Sequence, residues 1–451
     1  MEQVTLLISL AASFLVLCLS PIYGLITYIA TFALYPTYLS VPVGTIDFTA
    51  QRIVIIGIFV KLFLLTDLPK RFKFLLLDKL LIIYFLAQFL SQYITSTSSS
   101  FMPIFENRCG EILDTVLPYF AVRMIIQSRQ QYLTLLKWIF IIAAPLAIIG
   151  FYECMTGTNL LGFFREYYAW RSAKLDDTTM VRYGFFRAYN VFSHPIMYGL
   201  FFAMFGPVCA GILAYVKKNK MLYWAGLGLM GIGVFSSMSS GPILAVQLSI
   251  PFVALYRWRK YWKLGATVII IMCASVEIIS NRHFYEVIDR FSFSASSAWY
   301  RSKLISVALF EGGMSGHWLF GYPFGTDANW GKLISGLDYT DIVNHYILSL
   351  HSYGLVGLIP FLAVIGAAIK RLIVSFRTCI LESDRWLIWC LSSALFGILV
   401  AMNSTSLFGP PITIFYIMLA FCGMMPFIVV KNNAKPGTER SKTVLVKNHC
   451  C

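Results

Sequence analysis

The sequence predicts an all-α polytopic membrane protein, and three observations predict it. Hydrophobic residues make up 58% of the 451-residue chain and charged residues only 13%, with a mean hydropathy of +0.72, far more apolar than a water-soluble domain. Apolar runs of about 20 residues, each sufficient to cross a hydrocarbon layer about 30 Å thick, recur down the whole length. The basic residues behind the net charge of +15 fall in short clusters between these runs instead of forming one stripe. That distribution argues against a nucleic-acid partner and reads as a topology signal, because lysine and arginine are retained on the cytoplasmic side.

Taken in order, Lys70, Arg71 and Lys73; Lys217, Lys218 and Lys220; Arg257, Arg259, Lys260 and Lys263; Lys370, Arg371 and Arg377; and the tail 431–451 are expected inside. The chain is then a single transmembrane domain over 1–451. A first long outer loop covers 154–194, a main outer loop covers 280–341 before the third-last span, and the basic tail is cytoplasmic. Spans are expected at 51–66, 75–95, 111–127, 132–153, 195–216, 221–237, 242–256, 262–280, 342–369, 385–403 and 409–430. Ahead of them, Ser20-Pro21 interrupts the apolar stretch 1–38. Two crossings there put the N-terminus outside. One kinked or partly re-entrant element is preferred, because neighbouring helices can satisfy the carbonyl that a proline frees. That choice gives about twelve spans, in a range of about eleven to thirteen, with both ends inside. No small-residue cleavage site follows, so this segment is expected to remain as an anchor.

Charges within or near spans need partners. Arg52 and Arg123 are expected to snorkel or pair, since an unpaired charge at the bilayer centre costs about 2.5–3.5 kcal/mol. Asp78, Glu111, Asp114, Glu153 and Glu277 lie near span ends, which leaves no obvious carboxylate at mid-membrane for a proton-coupled carrier. The ten cysteines show no metal-ligand spacing and read mostly as small packing residues. Cys109 and Cys154 fall at the same face, where a disulfide is one option. Cys450 and Cys451 end a tail that reads as solvated.

Three stretches carry polar chemistry. In VRYGFFRAYNVFSHPIMYG, Arg182, Arg187 and His194 precede a helix opened by Pro195. An aromatic and basic belt at headgroup level explains them, and so does a receptor for a lipid-borne phosphate, which arginine grips through a planar fork of donors. In FSSMSSGPILAV, Ser239 and its neighbours either form a tight turn or cap the next helix and bond a ligand oxygen. In the main loop, SAWYRSKLISVALFEGG with Arg301 suggests an amphipathic helix near the membrane surface, and Gly321, Pro323 and Gly325 then break the pattern. Thr340 or Asp341 is expected to cap a helix carrying Asn344, His345 and His351. Asp341 lies four residues before His345 and is in register to orient its ring. A structural histidine is the competing reading.

These residues carry a resemblance. RAYNVFSHPIMYG, SMSSG, WYRSKL followed by LFGYPFGT, and VNHYILSLHSYGLVGL stand in the order seen in the O-antigen ligase and Wzy-type polysaccharide polymerase superfamily, and LPYFAVR is similar as well. The resemblance spans about Leu117 to Pro360. It implies a GT-C-like glycosyltransferase that needs neither metal nor cofactor and acts on undecaprenyl-diphosphate-linked glycans at the outer face of a bacterial inner membrane. It also implies that Arg187 and Arg301 grip the diphosphate. Two departures stand out: Ser240 occupies a position where the family often has arginine, and Val343-Asn344 stands where ligases often read His-Asn. With the histidine displaced to His345, the expectation favours a polymerase of lipid-linked repeat units over a ligase.

In that expectation Arg187 and Arg301, with Arg182, His194, Ser239 and Asp341 in support, bind substrate. His345 is the candidate base and Asn344 positions the acceptor. The partners are the lipid-linked oligosaccharide, the bilayer, and flippase and chain-length regulator proteins. A ligase acting on a finished glycan is the first alternative. A non-enzymatic transporter of lipid-linked glycans is the second; it calls for internal repeats and broken helices, neither of which the sequence displays.

Overall fold

The computed structural model describes residues 1–96, 101–167, 180–279, 295–336 and 338–430. Part of the expected main loop and the whole basic tail, with Cys450 and Cys451, lie outside the described residues. Helices dominate the rest, and the described strands are two short hairpins.

The chain opens with α1 (Glu2–Cys18) and α2 (Pro21–Leu34), which separate where Leu19 and Ser20 are extended and Pro21 takes the first helical position. The two run antiparallel: the hydroxyls of Thr5 and Tyr35 lie 2.8 Å apart. Of the two forms preferred for this stretch, the single kinked helix is excluded and the re-entrant one is approached: the segment is a helical hairpin that returns the chain to the end where it began. Strands β1 (Ser40–Val43) and β2 (Ile46–Thr49) then turn back into α3 (Ala50–Leu65). Lys61 of α3 reaches across to the hairpin tip. Its ammonium donates to the carbonyls of Val16 at 2.9 Å and Leu17 at 3.0 Å, and to that of Leu19, which the end of α1 leaves without helical partners.

The following helices are α4 (Leu76–Thr95), α5 (Phe101–Glu111), α6 (Leu117–Ile125), α7 (Arg129–Thr156), α8 (Pro195–Ala210), α9 (Lys220–Ser236), α10 (Ser240–Ala254) and α11 (Trp262–Ile279). After them come α12 (Ala295–Leu309), α13 (Trp330–Ile334), α14 (His345–Thr378), α15 (Glu382–Ala401) and α16 (Pro410–Ile428). Six are long and apolar enough to cross a membrane: α4, α7, α8 with its extension to Ala214, α14, α15 and α16. The protein is thus a helical membrane-embedded protein. By length the expected dozen spans are not all reached, since α1, α2, α3, α9 and α10 have 14 to 17 residues each, fewer than a straight crossing takes. Helices α8 and α16 are apolar on every side, and such helices belong at the centre of a bundle. They are 83% and 89% buried.

Charges inside the bundle are paired. Asp78 accepts from Arg123 at 3.0 and 3.1 Å and from the Tyr119 hydroxyl at 2.5 Å, with the acid fully buried. Arg52 grips Asp114, which sits on a π-helical turn at Ile112–Val116, through bonds of 2.6 to 3.2 Å. Asp384 accepts from Arg129 at 3.0 Å and from the Tyr215 hydroxyl. The expectation that Arg52 and Arg123 pair holds. Cys109 and Cys154 are both free thiols, so the disulfide option is not taken.

The main loop folds back on α14. Leu304, Val307 and Ala308 of α12 pack with Met314, Trp330, Ile347 and Leu350 into a small core of their own. Within α14 the helix breaks at Gly354, whose φ of 60° and ψ of −162° are not helical. A Cβ there would lie 2.3 Å from the Leu319 carbonyl oxygen, and one at Gly321 would lie 2.5 Å from that of His351. Only glycines let the two backbones pass this closely. The amides of Leu355 and Val356 donate to the carbonyls of Trp318 and Leu319, and Tyr322 N donates to His351 O at 2.7 Å. Ser91 of α4 ties both strands of the crossing, donating to Phe320 O at 2.5 Å and Tyr353 O at 3.0 Å. A broken helix is thus present where the sequence displayed none. Residues 355–378 still provide about 36 Å of helix at 1.5 Å per residue, so the break falls toward one end of the span.

Candidate functional site

Loops 180–194, 237–239, 310–344 and 402–409 gather at one end of the bundle, and the sequence builds each approach to that end differently. Tyr183 and Gly184, with φ of 53° and 81°, form the two-residue turn of a hairpin between β3 (Val181–Arg182) and β4 (Phe185–Phe186). The chain then crosses the ends of α7 and α9. Ala188 N donates to Ser236 O at 2.9 Å, and Asn190 N donates to the buried carboxyl of Glu153 at 2.9 Å. Asn190 itself takes the left-handed region at φ 55° and bonds Leu146 O through its amide. This anchoring fixes Arg187 between those helices, 5% exposed.

Two arginines from distant segments meet there. Arg187 Nη2 donates to Ser239 Oγ at 3.0 Å, and Arg301 Nη2, from α12, donates to Ser240 Oγ at 2.9 Å. Arg182 Nη1 donates to Met238 O at 3.2 Å. Met238 has a φ of 41°, a strained value for a side chain of its size, and it turns the backbone so that consecutive serines face two guanidiniums. Ser239 precedes α10 as expected, but its hydroxyl does not cap the helix; it donates to Ser237 O at 2.8 Å and accepts from Arg187. Burial, and then the charge of Arg182, push the pKa of Arg187 down to about 9, so it keeps its charge near neutrality.

His194 sits beside this cluster with a structural task. Its Nδ1 accepts from Ile196 N at 3.1 Å and caps α8, and its ring touches Phe408 at 6.1 Å. Burial, followed by the charges of Arg187, Arg165 and Arg182, lowers its pKa to about 3 and keeps it neutral. Arg165 escaped the sequence reading. It donates to Ser193 O at 2.8 Å and stacks on Tyr189 at 4.1 Å, and its only signal in the sequence is a lone basic residue in the aromatic run GFFREYY.

The head of α14 differs from expectation. Residues 341–344 are not helical, so the Asp341 to His345 register does not exist. The cap is Asn344, whose Oδ1 accepts from Tyr346 N at 3.0 Å and Ile347 N at 3.1 Å. His345 is buried, its amide donates to Met402 O, and its Nδ1 accepts from Leu407 N at 3.2 Å. In the neutral ring this puts the proton on Nε2, and the lone pair a base needs is already engaged. In this arrangement Asn344, expected to position the acceptor or cap the site, caps α14, and His345, the expected base, holds the head of that helix against the 402–409 loop. Asp341 faces Arg301. Protein atoms crowding its carboxyl raise its pKa, and the arginine opposes the rise.

Next to these residues lies a cavity of about 520 Å³ lined by Asp341, Phe408, Asp327, Tyr322 and His351 among others. His351 is 9% exposed and neither ring nitrogen has a hydrogen-bond partner. Its ring stacks on Tyr322 at 4.6 Å, with the edge of Trp330 at 5.5 Å. Asp327 faces the same cavity, held by Thr340 Oγ1 at 2.7 Å and Thr340 N at 2.8 Å. Burial raises the Asp327 pKa, but these bonds and that from Asn329 N outweigh it, so the carboxyl lies below its usual range. Fold and site together define a helical membrane protein with a buried cluster of arginines beside a polar, aromatic cavity at one end of the bundle. No model of a known protein family matches the chain, and no curated protein matches it.

Proposed function

We propose that the protein is a metal-independent membrane glycosyltransferase that joins undecaprenyl-diphosphate-linked oligosaccharide repeat units into exopolysaccharide or O-antigen at the outer face of a bacterial inner membrane. The observation that carries this reading is the seating of Arg187 and Arg301, from two separate segments, on the adjacent hydroxyls of Ser239 and Ser240. A diphosphate leaving group gains charge as its bond to the sugar breaks. Two guanidiniums fixed in a buried site meet that charge without reorganising. In the step itself, an acceptor hydroxyl oxygen attacks the anomeric carbon and the lipid diphosphate departs with the bonding pair. The hydroxyl proton passes to a base. Of the imidazoles at this end, His351 supports that role best, because it lines the cavity with an unshared lone pair.

The polymerase reading predicts that purified protein lengthens a labelled lipid-linked oligosaccharide on its own carrier, and that chelating divalent metal with EDTA leaves the rate unchanged. Glycan appearing on a new lipid or protein acceptor would shift the reading to a ligase. Movement of substrate across vesicles with no new glycosidic bond would overturn it in favour of a transporter.

A further inference from the structure

A second cavity, of about 320 Å³, adjoins the first, and both are lined by Asn107 and Phe324. The first has the size of an ordinary small-ligand site, and its chemistry is mixed. Tyr322, Tyr353 and Phe408 present rings, Asp327 and Asp341 present carboxylates, and Gln92 and Arg108 present donors. The second continues the pattern with Asp47, Glu106, Thr45 and Arg52. A lone phosphate would be repelled by four carboxylates, and an acyl chain would leave the unpartnered His351 nitrogens and Gln92 Oε1 as they are. A sugar chain suits both features: its hydroxyls donate and accept, and its C–H faces lie on aromatic rings.

Two deeply buried side chains in the wall point the same way. His351 has both ring nitrogens unpartnered, and Gln92, only 3% exposed, has an unpartnered Oε1. A buried hydrogen-bonding atom without a partner is unfavourable, and both side chains border the cavity, where a ligand hydroxyl supplies what is missing.

We infer that the two cavities form one groove that binds an extended oligosaccharide, with His351 and Gln92 bonding the sugar at the inner end and Asn107 and Phe324 at the passage to the outer end. The inference rests on the proposed function only for what the bound chain is used for, namely as the acceptor, and its binding test is independent of catalysis. Asn107 is exposed, so Asn107→Trp blocks the passage; the bond its Oδ1 accepts from Arg108 Nη2 at 2.7 Å is lost, and Asn107→Leu, which loses that bond without filling the passage, is the control.

The probes are maltohexaose, chitohexaose and a galacto-oligosaccharide of the same length, each with its disaccharide, titrated calorimetrically into the full-length protein. At least one hexamer should bind at least tenfold more tightly than its disaccharide. Asn107→Trp should bring the hexamer to the disaccharide's affinity and leave the disaccharide unchanged, while His351→Gln and Gln92→Leu each weaken both. Inorganic pyrophosphate should not compete. Equal affinity for long and short probes, no effect of Asn107→Trp, or no binding by any probe overturns the groove. If probes bind as described but no glycosidic bond forms from lipid-linked substrate, the groove stands and the enzyme reading falls. If bonds form and product length is the same in Asn107→Trp, the groove falls and the enzyme reading stands.

Discussion

The bundle interior and the loop end treat arginine differently. Arg123 lies against the fully buried carboxylate of Asp78, and Arg129 against that of Asp384. In each pair a nearby tyrosine hydroxyl completes the acid's hydrogen bonds. Arg187 and Arg301, both buried, are seated on serine hydroxyls. A carboxylate bond joins two charged side chains across the bundle; a bond to a hydroxyl fixes the direction in which the guanidinium points. The contrast separates cations that knit helices together from cations aimed by serines at the loop end.

Mutations test that separation from opposite sides. Asp78→Asn strands a buried guanidinium and should cost about 3–5 kcal/mol of stability, read as a large drop in the thermal midpoint in detergent, with turnover per folded molecule retained. Arg301→Lys should do the reverse. Its point charge cannot reproduce the planar fork, so turnover on lipid-linked substrate falls about 100- to 1,000-fold while the midpoint barely moves. If Asp78→Asn lowered turnover per folded molecule as much as Arg301→Lys, the two classes of arginine would not be distinct.

Ser240→Ala sharpens the comparison, because it keeps the charge and removes its guide. A roughly tenfold fall in turnover, worth about 1.4 kcal/mol, is expected, and no change would mean that the serine does not aim the arginine. The effect that is smallest at neutral pH, and appears only on acidification, concerns His194. Its folded pKa of about 3 lies below the ordinary 6.5. As pH falls below 6.5 the unfolded chain takes up a proton that the folded one refuses, so stability declines until about pH 3. His194→Asn preserves a good helix cap and should flatten that part of the curve of thermal midpoint against pH.

Much of the architecture was legible because apolar runs and helix lengths obey the same constraint. The expected spans 75–95, 195–216 and 409–430 match α4, α8 and α16 within a few residues. The bond between Arg187 and Ser239 was not legible, because the two residues stand 52 apart and nothing local joins them. What stayed hidden depends on partners far along the chain. His345 looked available because nothing in its neighbourhood announces that Leu407 N, 62 residues later, occupies its Nδ1. The cap was misplaced by three or four residues because Thr340 and Asp341 are as plausible locally as Asn344; Thr340 is drawn instead to Asp327. The helix break at Gly354 was missed because a glycine within an apolar run looks like a packing contact until a second backbone is brought against it.

The lysine at the tip of the first hairpin bears on how the protein is made. Val16, Leu17 and Leu19 emerge from the ribosome well before Lys61, whose separation from Val16 is 45 residues. Until the third helix is made those carbonyls have no protein partner, so the tip of the first hairpin is completed by a residue synthesised after it, and one ammonium then closes three carbonyls at once.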